Sequence, residues 1–115
     1  MNPHTRRAVA YVVSRLSGRS ATGVYDYDAG GHFSFSGDVS TNACSAYDHG
    51  QGCHISGTPP SLYHHGNAKH LNVELNGSNF SGYDYDSGRH FTGTVNGNAI
   101  SLYDYDSNRH YNYTA

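Results

Sequence analysis

Apolar residues at Ala8, Val9, Val12, Val13 and Leu16 recur at the spacing of one helical face. Asn2 can cap such a helix, Pro3 suits its first position, and Gly18 suits the place just past its end. The pattern predicts a helix over residues 3–17 with an apolar stripe and an arginine-rich back. A polar connector follows at residues 19–23, and beyond it the helical period is lost.

From Tyr25 onward the chain repeats itself. Y-D-Y-D-A-G-G-H-F begins at Tyr25, Y-D-H-G-Q-G-C-H-I at Tyr47, Y-H-H-G-N-A-K-H-L at Tyr63, Y-D-Y-D-S-G-R-H-F at Tyr83 and Y-D-Y-D-S-N-R-H-Y at Tyr103. Every copy opens on Tyr, carries His at its eighth place (His32, His54, His70, His90, His110) and closes on Phe, Ile, Leu or Tyr. The copies start 22, 16, 20 and 20 residues apart, a period that marks a repeat fold whose single units cannot bury a core alone.

Each copy has the grammar of a β-hairpin with a three-residue loop, a type I turn followed by a residue able to take positive φ. Asp28-Ala29-Gly30, Gly50-Gln51-Gly52, Asp86-Ser87-Gly88 and Asp106-Ser107-Asn108 comply, whereas Gly66-Asn67-Ala68 departs and is expected to shift by one residue. Asn76-Gly77-Ser78, Asn96-Gly97-Asn98 and Pro59-Pro60 supply turns between copies. Reflection about residues 29, 40, 51, 59, 67, 77, 87, 97 and 107 gives ten short antiparallel strands. In that register Tyr25, Phe33, Tyr47, Ile55, Tyr63, Leu71, Tyr83, Phe91, Tyr103 and Tyr111 share one face. Asp26, His32, Asp48, His54, His64, His70, Asp84, His90, Asp104 and His110 share the other.

Cross-strand Asp–His neighbours attract, whereas the stacked like residues of a parallel solenoid repel. The expected fold is therefore mainly β: an antiparallel meander of five hairpins over residues 24–115, preceded by a helical segment and connector over residues 1–23. A β-solenoid with coils of about 20 residues is the alternative.

At Tyr83–Phe91 and Tyr103–Tyr111 the run Y-x-Y-D, a turn and then Gly-Arg or Asn-Arg resembles the YD repeat of Rhs-type toxins and teneurins. That resemblance implies recurring hairpins of the kind those proteins wind into a large hollow shell, and it implies no catalytic residue. The present repeat is one residue shorter in the turn and has His where Leu would follow Arg.

Composition changes the picture in one respect. Leu, Ile, Val and Phe make up 18 of 115 residues, about 16%, below the roughly 20% at which unaided folding is expected. Eleven Tyr and a net charge of only -2 argue against disorder and make Tyr the substitute for aliphatic core. Charge is divided: residues 1–24 hold Arg6, Arg7, Arg15 and Arg19 and no acid, read as a solvated helix face, while residues 25–115 hold nine acids against Lys69, Arg89 and Arg109. So few bases in the body disfavour nucleic-acid binding. No run reaches the length of a membrane span or a signal peptide, which makes the cytoplasm the default compartment and Cys44 and Cys53 free thiols.

Nine His raise metal binding as a question. His54, His64, His70 and Asp84 are the candidate ligands, but neighbours on a flat sheet stand in a line, so structural pairing of Asp26, Asp48, Asp84 and Asp104 with His32, His54, His90 and His110 is the preferred reading. Such pairs would raise the His pKa values and make stability fall towards alkaline pH. No nucleophile elbow or phosphate loop is present, the only Glu is Glu74, and the second Asp of each Asp-x-Asp opens a turn, so no enzyme and no cofactor are expected. The row Tyr25, Phe33, Tyr47, Tyr63, Tyr83, Phe91, Tyr103 and Tyr111 forms an aromatic packing or interface face, and both sheet edges are unguarded. The expected function is a non-enzymatic structural protein that self-assembles through aromatic faces or edges; the alternative is a binding module for metal ions or glycans.

Overall fold

The computed structural model describes residues 1–115 as one helix and ten antiparallel strands. The helix is α1 (Pro3–Leu16). The strands are β1 (Gly23–Asp26), β2 (Gly31–Val39), β3 (Cys44–Asp48), β4 (Cys53–Thr58), β5 (Ser61–His64), β6 (Lys69–Asn76), β7 (Asn79–Asp84), β8 (Arg89–Asn96), β9 (Ala99–Asp104) and β10 (Arg109–Thr114). Each strand pairs with its sequence neighbours, as a meander requires, but the sheet is not open. β1 also pairs with β10, through Tyr25 opposite Thr114 and Asp26 opposite Tyr113, and the ten strands close into a barrel. No sheet edge is left for another chain, which removes edge pairing as a route to assembly.

The sheet curls because it has something to wrap. Eight strands enclose a space that side chains alone can fill, and ten leave more room. α1 occupies it. Ala8 to Val13 are all 0% exposed, so the helix is buried on every side rather than along one stripe. Burial of each of Val9, Val12 and Val13 contributes about 1.5–3 kcal/mol, and Tyr11 stacks on Phe35 of β2 at 4.9 Å between ring centroids. Six consecutive apolar residues carried this signal.

The hairpin loops hold four residues, not three. Asp26 stands opposite Gly31, which moves the turn centre from residue 29 to the 28–29 bond and changes every cross-strand partner by one. The cause is the Asp side chain. Asp26 Oδ1 accepts the Asp28 and Ala29 N–H groups at 2.9 and 3.2 Å while its backbone oxygen accepts Gly30 N–H at 2.8 Å. Asp48 repeats both contacts, and Asp84 and Asp104 each accept one turn N–H in the same way. A carboxylate reaches these N–H groups only from the residue that begins the turn.

The third loop does not shift as expected: His64 pairs with Lys69, and Ala68 takes the position that Gly30, Gly52, Gly88 and Asn108 fill elsewhere, with φ 54°. A left-handed Ala is strained. Ala68→Gly is expected to stabilise the protein by about 0.5–1 kcal/mol, read as a shift in the denaturation midpoint at unchanged slope.

Two inward-facing glycines set the fit between wall and filling. A Cβ on Gly82 would overlap the Asn72 carbonyl oxygen and the Phe91 ring; one on Gly93 would overlap the Ser101 carbonyl oxygen and the Phe80 ring. Their missing side chains leave room for the tips of the Phe91 and Phe80 rings against the wall.

Candidate functional site

Because strand residues alternate in direction, the second place of each copy points inward and the first, third and eighth point outward. Two zones result at the same end of the barrel, a buried polar ring and an exposed aromatic belt.

The ring consists of Asp26, Asp48, His64, Asp84 and Asp104, each at most 2% exposed. It lies at the end of the barrel that holds the N-terminal turn of α1. That turn has no acid and no side-chain cap of its own, so strand carboxylates sit where the helix dipole is positive. Arg7 Nη1 lies 3.1 Å from Asp26 Oδ2, and Arg6 Nη1 lies 3.6 Å from Asp104 Oδ2. Both guanidinium groups also stack on aromatic rings, Arg7 on Phe33 and Arg6 on Tyr111, each at 3.7 Å from the ring centroid. The helix face read as solvated is thus buried and paired at these two residues. Nearby, burial pushes the Tyr113 phenol pKa up although Arg6 opposes it.

His64 is the one member that is not Asp. Its Nδ1 accepts the Asn67 N–H at 3.2 Å, so the ring proton sits on Nε2, which has no partner; Asp84 Oδ2 has none either. Burial, and then the neighbouring His4 at 5.3 Å between centroids, hold the His64 pKa below its ordinary value, against the opposing charges of Asp48 and Asp84. Below about pH 6.5 the unfolded chain protonates this imidazole while the folded one resists, so its contribution to stability is complete above that value and is lost as pH falls through the folded pKa. The melting temperature is expected to drop between pH 7.5 and pH 5.5, and to drop less in His64→Asn. Equal drops in the two proteins would remove His64 as the cause.

The belt lies outside. In every copy the first-place Tyr meets two rings at steep angles. Tyr25, Tyr47, Tyr63, Tyr83 and Tyr103 face His32, His54, His70, His90 and His110 across the strand pair at 4.7–5.0 Å. They meet Tyr27, His49, His65, Tyr85 and Tyr105, two residues on at the start of each turn, at 4.8–4.9 Å. The eighth-place His of the repeat is therefore the partner of Tyr, not of Asp. The expected Asp–His pairs do not form: Asp26, Asp48, Asp84 and Asp104 stand inside opposite Gly31, Cys53, Arg89 and Arg109. With the pairing gone, the expectation of stability lost towards alkaline pH loses its basis.

The aromatic row divides too, since Phe91 and Tyr111 are buried inside and Phe33 is turned inward and half-buried, while the five Tyr face out. The metal candidates separate likewise, His54 and His70 outside and His64 and Asp84 inside, and no three ligating side chains converge. Cys44 and Cys53 are both buried free thiols, and desolvation raises the Cys44 pKa to about 11.

Three belt residues were not singled out from sequence. Tyr27, Tyr85 and Tyr105 are 60%, 50% and 48% exposed, the large hydrophobic side chains most open to solvent. The signal was present as Tyr-x-Tyr, a spacing that puts both rings on one strand face. Their hairpins, β7–β8, β9–β10 and β1–β2, are consecutive around the barrel, and Arg109 links two of them by reaching Asp28 at 3.2 Å. Between belt and far end the outward residues are mostly Ser, Thr and Asn, with Asp38, Glu74 and Ala99, and no helix is long and apolar enough to cross a membrane. Comparison with protein families, curated proteins and solved structures gives no match, so the likeness to YD repeats rests on the motif itself.

Proposed function

We propose that the protein is a non-enzymatic structural module that associates with further copies of itself through the aromatic belt. The carrying observation is the run of Tyr27, Tyr105 and Tyr85 on three consecutive hairpins, each about half exposed or more. Exposed aromatic patches of this kind are characteristic of association surfaces, and Tyr is favoured there because it offers contact area at little entropic cost. The acids of these turns are engaged within the chain, Asp28 by Arg109, Asp86 by Asn2 and Asp106 by the Met1 amino group, so the Tyr rings are what the surface offers a second copy. A barrel filled by its own helix has no chamber in which to enclose a substrate, which favours a surface role.

Light scattering of the full chain at about 100 μM, well above the micromolar range of modest interfaces, is expected to show oligomers. Replacement of Tyr27, Tyr85 and Tyr105 by Ser is expected to leave a folded monomer. A parent that is monomeric at that concentration, or a triple variant that still associates, overturns the reading.

A further inference from the structure

The outer wall carries a second feature, which borders the belt and shares Tyr105 with the association patch. An open trench of about 750 Å³ crosses β6, β7 and β8. Its floor is a two-rung array in which Asn72, Tyr83 and His90 stand opposite one another in one rung and Glu74, Ser81 and Thr92 in the next. A second trench of about 550 Å³ shares Ser81 and Thr92 with the first and continues across β9 to Tyr103 and His110 of β10. The depression exists because Ser and Thr sit between larger neighbours. Joined, the two trenches cross five adjacent strands, about 19 Å at the usual strand spacing.

The lining is chemically mixed in a particular way. The rung of Glu74, Ser81 and Thr92 supplies carboxylate and hydroxyl groups, and the rung on the belt side supplies the Asn72 amide with the rings of Tyr83 and His90. Glu74 is the only glutamate in the chain, and it lies exposed in the trench together with Arg89. An anionic ligand would meet the Glu74 carboxylate and a cationic one the Arg89 guanidinium. A neutral ligand rich in hydroxyls meets neither obstacle: its C–H faces can lie on aromatic rings while carboxylate, amide and guanidinium accept or donate to its hydroxyls. The trench length suits a chain of several units rather than a single ring. We infer that the joined trench binds a neutral oligosaccharide chain.

The test is an amide-shift NMR titration of the full chain with cellohexaose, maltohexaose and chitohexaose in separate arms, with a sulfated oligosaccharide and a Ser/Tyr-rich peptide as rival ligands. At least one neutral hexasaccharide is expected to move the amides of Ser81, Thr92 and Thr94 in a saturable manner. Thr92→Lys, which fills the shared floor, and Glu74→Ala, which removes the acceptor, are each expected to weaken that binding about tenfold. Both residues lie outside the Tyr patch, so the oligomeric state is expected to stay as in the parent, and failure here is distinguishable from failure of self-association. Absence of shifts with every neutral hexasaccharide, shifts confined to another surface, insensitivity to both variants, or binding of only the sulfated chain or the peptide overturns the inference.

Discussion

Replacement of Arg7 by Met is expected to destabilise the protein by about 3–5 kcal/mol, because it leaves the buried Asp26 carboxylate without its counter-charge. The arginine cannot be replaced by surrounding water: both side chains are less than a tenth exposed, and the guanidinium lies between the carboxylate and the Phe33 ring. Against a total stability of about 5–15 kcal/mol for a domain, such a loss is a large fraction. The double variant Arg7→Met with Asp26→Asn removes both charges and keeps an acceptor for the turn N–H groups, so it is expected to recover most of the loss. Urea denaturation of the parent, of Arg7→Met and Asp26→Asn singly, and of the double variant measures the coupling directly. A single variant that loses less than about 1 kcal/mol would mean that the pair is solvated.

Gly93→Ala is expected to destabilise the protein by about 3 kcal/mol. The added methyl would overlap a backbone oxygen on one side and the Phe80 ring on the other, and neither can step aside without moving strand or helix. Overpacking of this kind costs about 1–3 kcal/mol in forgiving cores, and this site stands at the upper end because one obstacle is main chain. Trimming the ring with Phe80→Leu in the Gly93→Ala background is expected to give partial rescue only. Gly31→Ala, where nothing lies within 4 Å and φ is not positive, is the matched control and is expected to be close to neutral. Thermal melts of these variants separate crowding from general loss of a glycine.

The sequence made some of this legible and hid the rest for physical reasons. The helix was readable over residues 3–17 because its apolar period is uninterrupted, and the strands because in four of the five copies the loop ends in Gly or Asn, residues fit for positive φ. The register was not, since three- and four-residue loops both close on such a residue. What separates them is the Asp at the second place, whose carboxylate caps the turn from the four-residue position alone. Asp26 and its counterparts looked like partners for His32 and its counterparts, yet a half-residue displacement of the centre sends the two sets to opposite faces. The likeness to YD repeats agreed with the hairpins read from the loops, and these close around a helix.

The position of the helix was also encoded, though in two places at once. The excess of arginine before residue 25 and of acid after it reads as a solvated head on an acidic body. In the fold these opposite charges meet inside the barrel, Arg6 against Asp104 of β9 and Arg7 against Asp26 of β1. Charge segregation alone does not tell whether the two signs come together in the interior. The all-round apolar run from Ala8 to Val13 does, because such a helix needs cover on every side.

Closure of the barrel by β1 and β10 bears on the order in which the molecule can be made. Nine of its ten strand pairings join sequence neighbours and can form as soon as each hairpin leaves the ribosome; the tenth joins residues 25–26 to 113–114. α1 precedes the strands in the chain and is the element that most needs cover, so its enclosure is complete only once β10 has been made. Until β10 arrives, both flanks of the growing sheet are exposed to other nascent chains. The last strand thus acts as a latch, and the period before it engages is when the protein is most open to misassembly.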